Sequence, residues 1–368
     1  MDKNKILHIT NFAPDLYGHG GNRRTAQIAE LLKSADFTIE STATQKSNRF
    51  ARYFYGIFIW TNSNFKSLSN FRILGQWGQS HINFKSALKQ HSVNRVALWE
   101  STADYFIADV AKNDKYKIIA VPQNIESLVK IEGGDCTLKS TLKKLGNEII
   151  HLAKSDAIFC ISREEQWLLK LFNIEANFLP YYPAKPILDQ LLSIRKNRHS
   201  SYKSRFLVVG TASNPPTLTG LIEQIQILEK ITEELDFKVD IVGYETEKIK
   251  HYCNNPSINF IGTVSSSKLN KLMESAIAIL IHQKAGVGAL TRIPEMLIAG
   301  IPVIANANAC RSAYRYDGLY CYDNQVTLLE LMKNSLSLSI PEILPRNISS
   351  EKHFIDTVSS ISSINSDV

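Results

Sequence analysis

No Cys-x-x-Cys pair occurs in this chain. Its five cysteines, Cys136, Cys160, Cys253, Cys310 and Cys321, are odd in number and scattered, which fits reduced thiols in a cytoplasm and argues against a structural zinc site. Long apolar runs are missing too: no window approaches the roughly 18–20 apolar residues that span a bilayer. The N-terminus, MDKNKILHITNF, has a basic start but only a short apolar run, so it reads as a first strand rather than a signal peptide. No Asp-x-Asp stands at a strand end, and His8, His81, His91, His151, His199, His251 and His353 lack metal-like spacing. Metal dependence is therefore not expected.

Residues 41–99 lack acid altogether, while Lys46, Arg49, Arg52, Lys66, Arg72, Lys85, Lys89 and Arg95 all fall there. Aromatic residues interleave: Phe50, Tyr53, Phe54, Tyr55, Phe58 and Trp60. Such a stretch suits an anionic partner, either a phospholipid surface or a phosphate-bearing acceptor. The other reading makes several of these aromatics core residues and the cations a solvated face. No recognition motif for nucleic acid accompanies the charge, so nucleic acid is not expected as a partner.

What is present is a repeated βα rhythm. A chain of 368 residues is long for one core, and two domains follow. KILHIT, RVALWES, KIIAVPQN and DAIFCIS are short apolar runs ending in polar or turn residues, with helical stretches between them. The rhythm breaks at LPYYPAKP and SIRKNRHSSYKS, then restarts with RFLVVGTAS, KVDIVGYE, INFIGTV and IAILIHQ. This predicts two mostly parallel, doubly wound sheets with ligand residues at the carboxyl ends of their strands. The boundaries read as a first domain at 1–180, a linker at 181–203 where proline and charge concentrate, a second domain at 204–345, and a tail at 346–368 returning to the first.

The run VVGTASNPP, VDIVGYE, INFIGTVSSSKLNKLMESAIAILIHQ, then GVGALTRIPEMLIAGIPVIA resembles the donor half of a GT-B glycosyltransferase. It is most similar to the retaining, nucleotide-sugar-dependent enzymes called family 4, or group 1. ISREEQWLLKLFNIEANFLPYYP resembles that family's passage into the hinge, and GHGGNRR its glycine loop after the first strand. The resemblance implies an α/β, GT-B chain: two Rossmann-like domains facing a central cleft, acceptor bound by the first and nucleotide sugar by the second.

A physical reading of the last stretch stands beside it. Gly286 and Gly288 let backbone approach a ligand closely, and the helix that follows offers N–H groups to a diphosphate. Pro294 is tolerable only near a helix start, so that helix begins close to Thr291. Arg292 then lies in its first turn, suited to a phosphate. Glu295 shares a side with Thr291 and Arg292, and the resemblance implies that its carboxylate holds ribose hydroxyls. Two departures stand out. Val287 occupies the position of the family's second glutamate, and Gly210 and Thr211 begin a GTASNPPTL turn without the usual Arg and Lys. Arg292, with Lys284, would take over the phosphate role.

In the first domain Gln123 stands where the resemblance implies a histidine at a strand end, followed by Asn124 and Glu126. Glutamine can hydrogen-bond a sugar but cannot usefully transfer protons; Glu126 is a candidate acid/base or a turn cap. Glu100 and Asp104, after another strand, are candidates for activating an acceptor hydroxyl or else helix-start charges. His19, with Gly20, Gly21 and Asn22, sits on a loop expected to meet acceptor or donor phosphate, and His282 is expected to touch the sugar. The function expected is a cytoplasmic glycosyltransferase, possible also at the inner membrane face, moving a sugar from a nucleotide sugar to a saccharide or lipid-linked saccharide. The nucleotide sugar is a co-substrate and no cofactor is implied. Two rivals share the fold: a nucleotide-sugar 2-epimerase, and a catalytically silent binding or scaffold domain.

Overall fold

A computed structural model describes residues 5–10, 14–15, 18–41, 47–62, 71–90, 95–129, 137–198, 205–232, 237–313 and 315–364. Lys46, Lys66, His91, Cys136 and His199 lie outside them. Two compact units divide the chain. The first contains Met1–Leu128, Cys136–Pro180 and Asn347–Val368, and the second Val129–Asp135 and Tyr181–Arg346.

Unit one is built on β1 (Lys5–Ile9), β2 (Thr38–Ser41), β3 (Val96–Trp99), β4 (Lys117–Ala120), β5 (Ala157–Cys160) and β6 (Asn177–Phe178). Their order is β2-β1-β3-β4-β5-β6, and the pairings are parallel. The second unit has β7 (Arg205–Val209), β8 (Lys238–Val242), β9 (Ile258–Gly262), β10 (Ala276–Ile281), β11 (Val303–Asn306) and β12 (Leu319–Tyr322). Their order is β12-β11-β10-β7-β8-β9, again parallel. Strands buried on both faces read as continuous apolar runs, as AILI of β10 does; all six β10 residues are buried.

In each sheet the winding reverses once, between β1 and β3 and between β7 and β10. Such reversals open a crevice at the carboxyl ends of the two strands, where ligands of open α/β sheets bind. The helix Ile348–Ile364 belongs to unit one. Phe354 meets Phe159 of β5 edge to face, with ring centroids 5.0 Å apart.

The stretch read as a linker is different. Lys185–Arg198 is a helix of unit two. Arg195 donates from Nε to Ile298 O and from Nη2 to Leu297 O, both at 2.7 Å. Arg198 donates from Nε to Gly300 O at 3.0 Å and from Nη1 to Met273 O at 2.6 Å. These cations bond to carbonyls at and just beyond the C-terminal ends of two helices, Ser266–Ser275 and Arg292–Ile298, where acceptor capacity is left over. They therefore bind the segment to the unit instead of leaving it in solvent.

The aromatic stretch is also not core. It forms the helix Arg49–Asn62, in which Phe50, Phe54, Tyr55 and Phe58 are exposed while Ile59 is buried. Among the described residues no helix is long and apolar enough to cross a membrane.

Candidate functional site

In unit two the crevice between β7 and β10 is lined by Val209, Thr217, Gln224, His282, Gln283 and Arg292, among others. Arg292 opens a short helix, Arg292–Ile298, and its Nη1 donates to the carbonyl of Val209 at the end of β7. The guanidinium thus lies across the switch point. The helix is only seven residues long, and Thr291 before it makes no side-chain cap. Pro294 in its first turn has no N–H. Weight for anion binding therefore shifts from the helix N–H groups to the arginine itself.

His282 directly follows β10. Its Nδ1 shares a hydrogen bond with the Tyr322 hydroxyl at 2.8 Å, and its Nε2 lies 3.4 Å from Glu223 Oε2. Burial lowers its pKa against the pull of Glu223, so the imidazole is neutral near pH 7 and serves as a hydrogen-bonding group. Gln224 stands on the helix Pro215–Thr232. It is 2% exposed, and among the described residues no group accepts from its Nε2. That is an unusual state for a buried amide.

The glycine loop is held from behind by Arg311. Its Nη2 donates to Val287 O at 2.6 Å and its Nε to Gly288 O at 3.0 Å. Because a trans peptide points its N–H opposite its carbonyl, the N–H groups of Gly288 and Ala289 face away from Arg311. A Cβ on Gly286 would sit 2.9 Å from Arg311 Nη2 and from the Gln283 amide. Gly286 therefore lies close beside the ends of two side chains, Arg311 and Gln283, which would have to shift for a larger residue. Gly288 has φ +68°, the left-handed region that glycine enters freely. Asn306 pins the start of the loop, accepting from Gln283 N at 2.9 Å and donating to its carbonyl at 2.8 Å.

Glu295 is fully buried, and Tyr181 donates its hydroxyl to Oε1 at 2.6 Å. The side it shares with Thr291, which is also buried, is turned inward. Gly210 is tied to the sheet through its N–H to Val242 O at 3.0 Å, and the Thr211 carbonyl accepts from Asn214. Lys284 is exposed.

In unit one, Glu100 follows β3 at the other switch point but is 1% exposed. Its carboxylate accepts from Thr25 Oγ1 at 2.8 Å and Gln123 Nε2 at 2.7 Å, and pairs with His8 Nε2 at 2.9 Å. Burial alone would raise its pKa, but the hydrogen bond and charge of His8, with bonds from Gln123 and Thr10, bring the net shift downward. A carboxylate so engaged is a hub that positions Gln123, in place of the acceptor-activating base its strand-end position suggested. Gln123 also donates to Gly21 O at 3.0 Å, tying the strand end to the helix Gly20–Ser34. His19 is exposed and caps that helix, its Nδ1 accepting from Gly21 N at 3.2 Å. Asn22 is half-buried, against Gly18.

Glu126 is half-buried and accepts from Asn124 Nδ2 at 3.3 Å. Burial, opposed by that bond and reinforced by the charge of Glu148, pushes its carboxyl up to about 7. Glu148 in turn accepts from Thr102 Oγ1 at 2.9 Å and from the N–H groups of Glu126 at 3.0 Å and Ser127 at 2.8 Å. Burial raises Asp104 to about 6, against a bond from Ser80. Among the described residues no group of His, Cys, Asp or Glu is placed to hold a metal ion.

Sequence reading missed Tyr181, Gln224, Arg311 and Tyr322. Only Gln224 carried a signal: it lies seven residues after Thr217, the spacing of one helix face.

No protein-family model matches the chain. No curated protein matches it in sequence. Solved structures do match. Sucrose-phosphate synthase from Thermosynechococcus elongatus is 12% identical, with TM-score 0.64 over 98% of this chain and 96% of that one. An α,α-trehalose-phosphate synthase (UDP-forming) from Burkholderia xenovorans, in complex with glucose-6-phosphate, is 11% identical, with TM-score 0.61 over 98% and 96%. The UDP-GlcNAc 2-epimerase of Methanocaldococcus jannaschii, in complex with UDP-GlcNAc and UDP, is 17% identical, with TM-score 0.53 over 97% and 99%. At these identities the likeness establishes the fold: two doubly wound units of the GT-B kind.

Proposed function

We propose that this chain is a glycosyltransferase that moves a sugar from a nucleotide sugar to a saccharide or lipid-linked saccharide acceptor. The observation that carries the reading is Arg292, a guanidinium laid across the switch point of unit two beside a loop whose N–H groups turn away from Arg311. That combination suits a diphosphate, and the solved structures of this fold include one holding UDP-GlcNAc and UDP. A UDP-sugar is accordingly the donor we assign, with Glu295 receiving the ribose.

As the bond from the anomeric carbon to the diphosphate breaks, negative charge collects on the leaving oxygen. Arg292 stabilises that charge, and fixed donors of this kind are often the largest contribution to rate. Neutral His282 and Gln224 offer hydrogen bonds to the sugar or to a phosphate oxygen. Unit one takes the acceptor, where Glu126, with a carboxyl near 7, is poised to exchange a proton at neutral pH. Retention at the anomeric carbon is part of the proposal, on the family resemblance. So is work in the cytoplasm at the membrane's inner face.

Calorimetry with UDP and with uridine tests it. Arg292→Ala is expected to weaken UDP about 10- to 100-fold, the loss of one charge-assisted bond, and to leave uridine unchanged. Full transfer activity in that variant sinks the assignment. Epimer formed from a UDP-sugar without acceptor would favour the epimerase. UDP binding without turnover over a broad acceptor panel would favour a silent binding domain.

A further inference from the structure

Two cysteines of unit two lie against each other. Cys310 ends the short helix Ala307–Cys310, which packs on β11 and β12. Cys321 lies within β12, in register with Ala305 of β11. The Cys310 thiol reaches the carbonyl of that same Ala305, with Sγ 3.4 Å from the oxygen. The two thiols are also hydrogen-bonded to each other.

Their access to solvent differs. Cys310 is 2% exposed, and among the described cysteines Cys321 alone is exposed. Burial pushes the Cys310 thiol up, and the contact with Cys321 adds to the effect. Cys310 therefore keeps its proton and is shielded, while Cys321 is the sulfur that a dissolved oxidant meets first.

Each cysteine precedes a side chain already placed at the donor site. Arg311 follows Cys310 and holds the carbonyls of Val287 and Gly288. Tyr322 follows Cys321 and bonds His282. The sheet runs β12-β11-β10, and the glycine loop comes after β10, on the far side of β11 from Cys321. A covalent bond brings two sulfurs closer than a hydrogen bond does. Drawing Cys310 toward β12 thus draws Arg311 away from the loop it holds.

We infer that Cys310 and Cys321 form a reversible disulfide under hydrogen peroxide, and that this bond loosens the glycine loop. The Cys321 sulfur attacks one peroxide oxygen and the O–O bond breaks, giving a sulfenic acid and one water. The Cys310 sulfur then attacks the Cys321 sulfur. Its proton leaves with the sulfenic hydroxyl as a second water, and the S–S bond forms. Two thiols lose two electrons in all, and one peroxide is reduced to two waters. A thiol reductant reverses the bond by exchange. An effect on the sugar donor rests on the glycosyltransferase reading; the disulfide and the loosened loop do not.

The full chain, reduced and then treated with hydrogen peroxide, is alkylated and mapped by mass spectrometry without reductant. Peptides joined through Cys310 and Cys321 are expected. Amide exchange across residues 286–290 is expected to quicken, and UDP affinity by calorimetry to fall about fivefold or more. Dithiothreitol should restore both. Cys321→Ser, an exposed substitution, is expected to melt and bind UDP as the reduced wild type does, and to ignore peroxide. Cys321 recovered as sulfinic acid beside an alkylated Cys310, or either cysteine joined to a different one, overturns the inference. So does a linked protein whose loop exchanges no faster, or a peroxide response that Cys321→Ser shares. Failure of the reduced wild type to bind UDP sinks the donor reading alone, because linkage and exchange are read without nucleotide.

Discussion

Tyr181 donates its hydroxyl to Oε1 of Glu295 at 2.6 Å, where the glutamate is fully buried. A ribose hydroxyl that reaches this carboxylate must compete with a donor already in place. Tyr181→Phe removes the competitor and with it one hydrogen bond to a buried carboxylate, which costs about 1–3 kcal/mol in the free protein. A ribose hydroxyl would supply a bond in its place. The variant is therefore expected to melt lower when free and to bind UDP several-fold more tightly, read by thermal shift and calorimetry. A lower melting temperature with unchanged affinity would make Glu295 purely structural.

Glu126 predicts an unusual pH dependence. Its carboxyl titrates near 7 in the fold against 4.5 when unperturbed, so the folded protein holds the proton more tightly than the unfolded chain. That contribution is fully present below about 4.5 and is lost as pH rises through about 7. Asp104, raised from 3.8 to about 6, acts in the same direction. His282, lowered by burial, acts in the opposite one, losing stability as pH falls below about 6.5. The difference between wild type and Glu126→Gln isolates the first effect. The variant is expected to gain on the order of 1–2 kcal/mol relative to wild type between pH 4.5 and 8, the full shift being discounted because the group is partly solvated. Denaturant curves at several pH values measure it, and parallel stability profiles would refute the assignment. In turnover, a kcat midpoint near 7 should vanish with the same substitution.

The Glu100 hub makes a separate claim. Thr25, His8 and Gln123 all converge on one carboxylate in a site closed to water. Glu100→Ala removes the shared acceptor; Thr25 and Gln123 keep the Gly21 carbonyl, but buried His8 loses its carboxylate partner, and about 1–3 kcal/mol of stability should go with it. Glutamine at the same position keeps the volume and an acceptor oxygen, so it should lose less. Urea midpoints that do not move in the alanine variant would show that the network carries no stability.

The strands were readable because each is a short apolar run closed by a turn, and KILHIT, RVALWES and IAILIHQ fall on β1, β3 and β10. The residues that follow two of those strands, Glu100 and His282, were readable for the same reason. Their roles were not. Glu100 is defined by Thr25 and His8, which lie 75 and 92 positions away, and no local pattern reports such a pairing. Lys185–Arg198 misled because prolines and cations are the usual marks of a linker. Its arginines are instead consumed by carbonyls about a hundred residues on. The glycine loop showed its glycines in the sequence but not Arg311, which lies 23 and 24 positions from the carbonyls it holds and left no local signal.

Gln224 supplies the last prediction. Its side chain is buried, and its Nε2 has no acceptor among the described residues, a state that costs about 1–3 kcal/mol relative to a satisfied or apolar group. Proteins keep such a cost where a ligand relieves it. The amide shares its crevice with Arg292, His282 and Thr217, so a sugar hydroxyl or phosphate oxygen is the natural acceptor. Gln224→Leu replaces the amide with an apolar side chain that leaves no donor behind. Two opposite shifts are expected: a melting temperature equal to or above wild type, and UDP-sugar affinity about tenfold lower. Affinity unchanged by the leucine would mean that the amide does not touch the donor. A fall in both stability and affinity would mean that it holds the crevice together, and the ligand role would then pass to Arg292 and His282 alone.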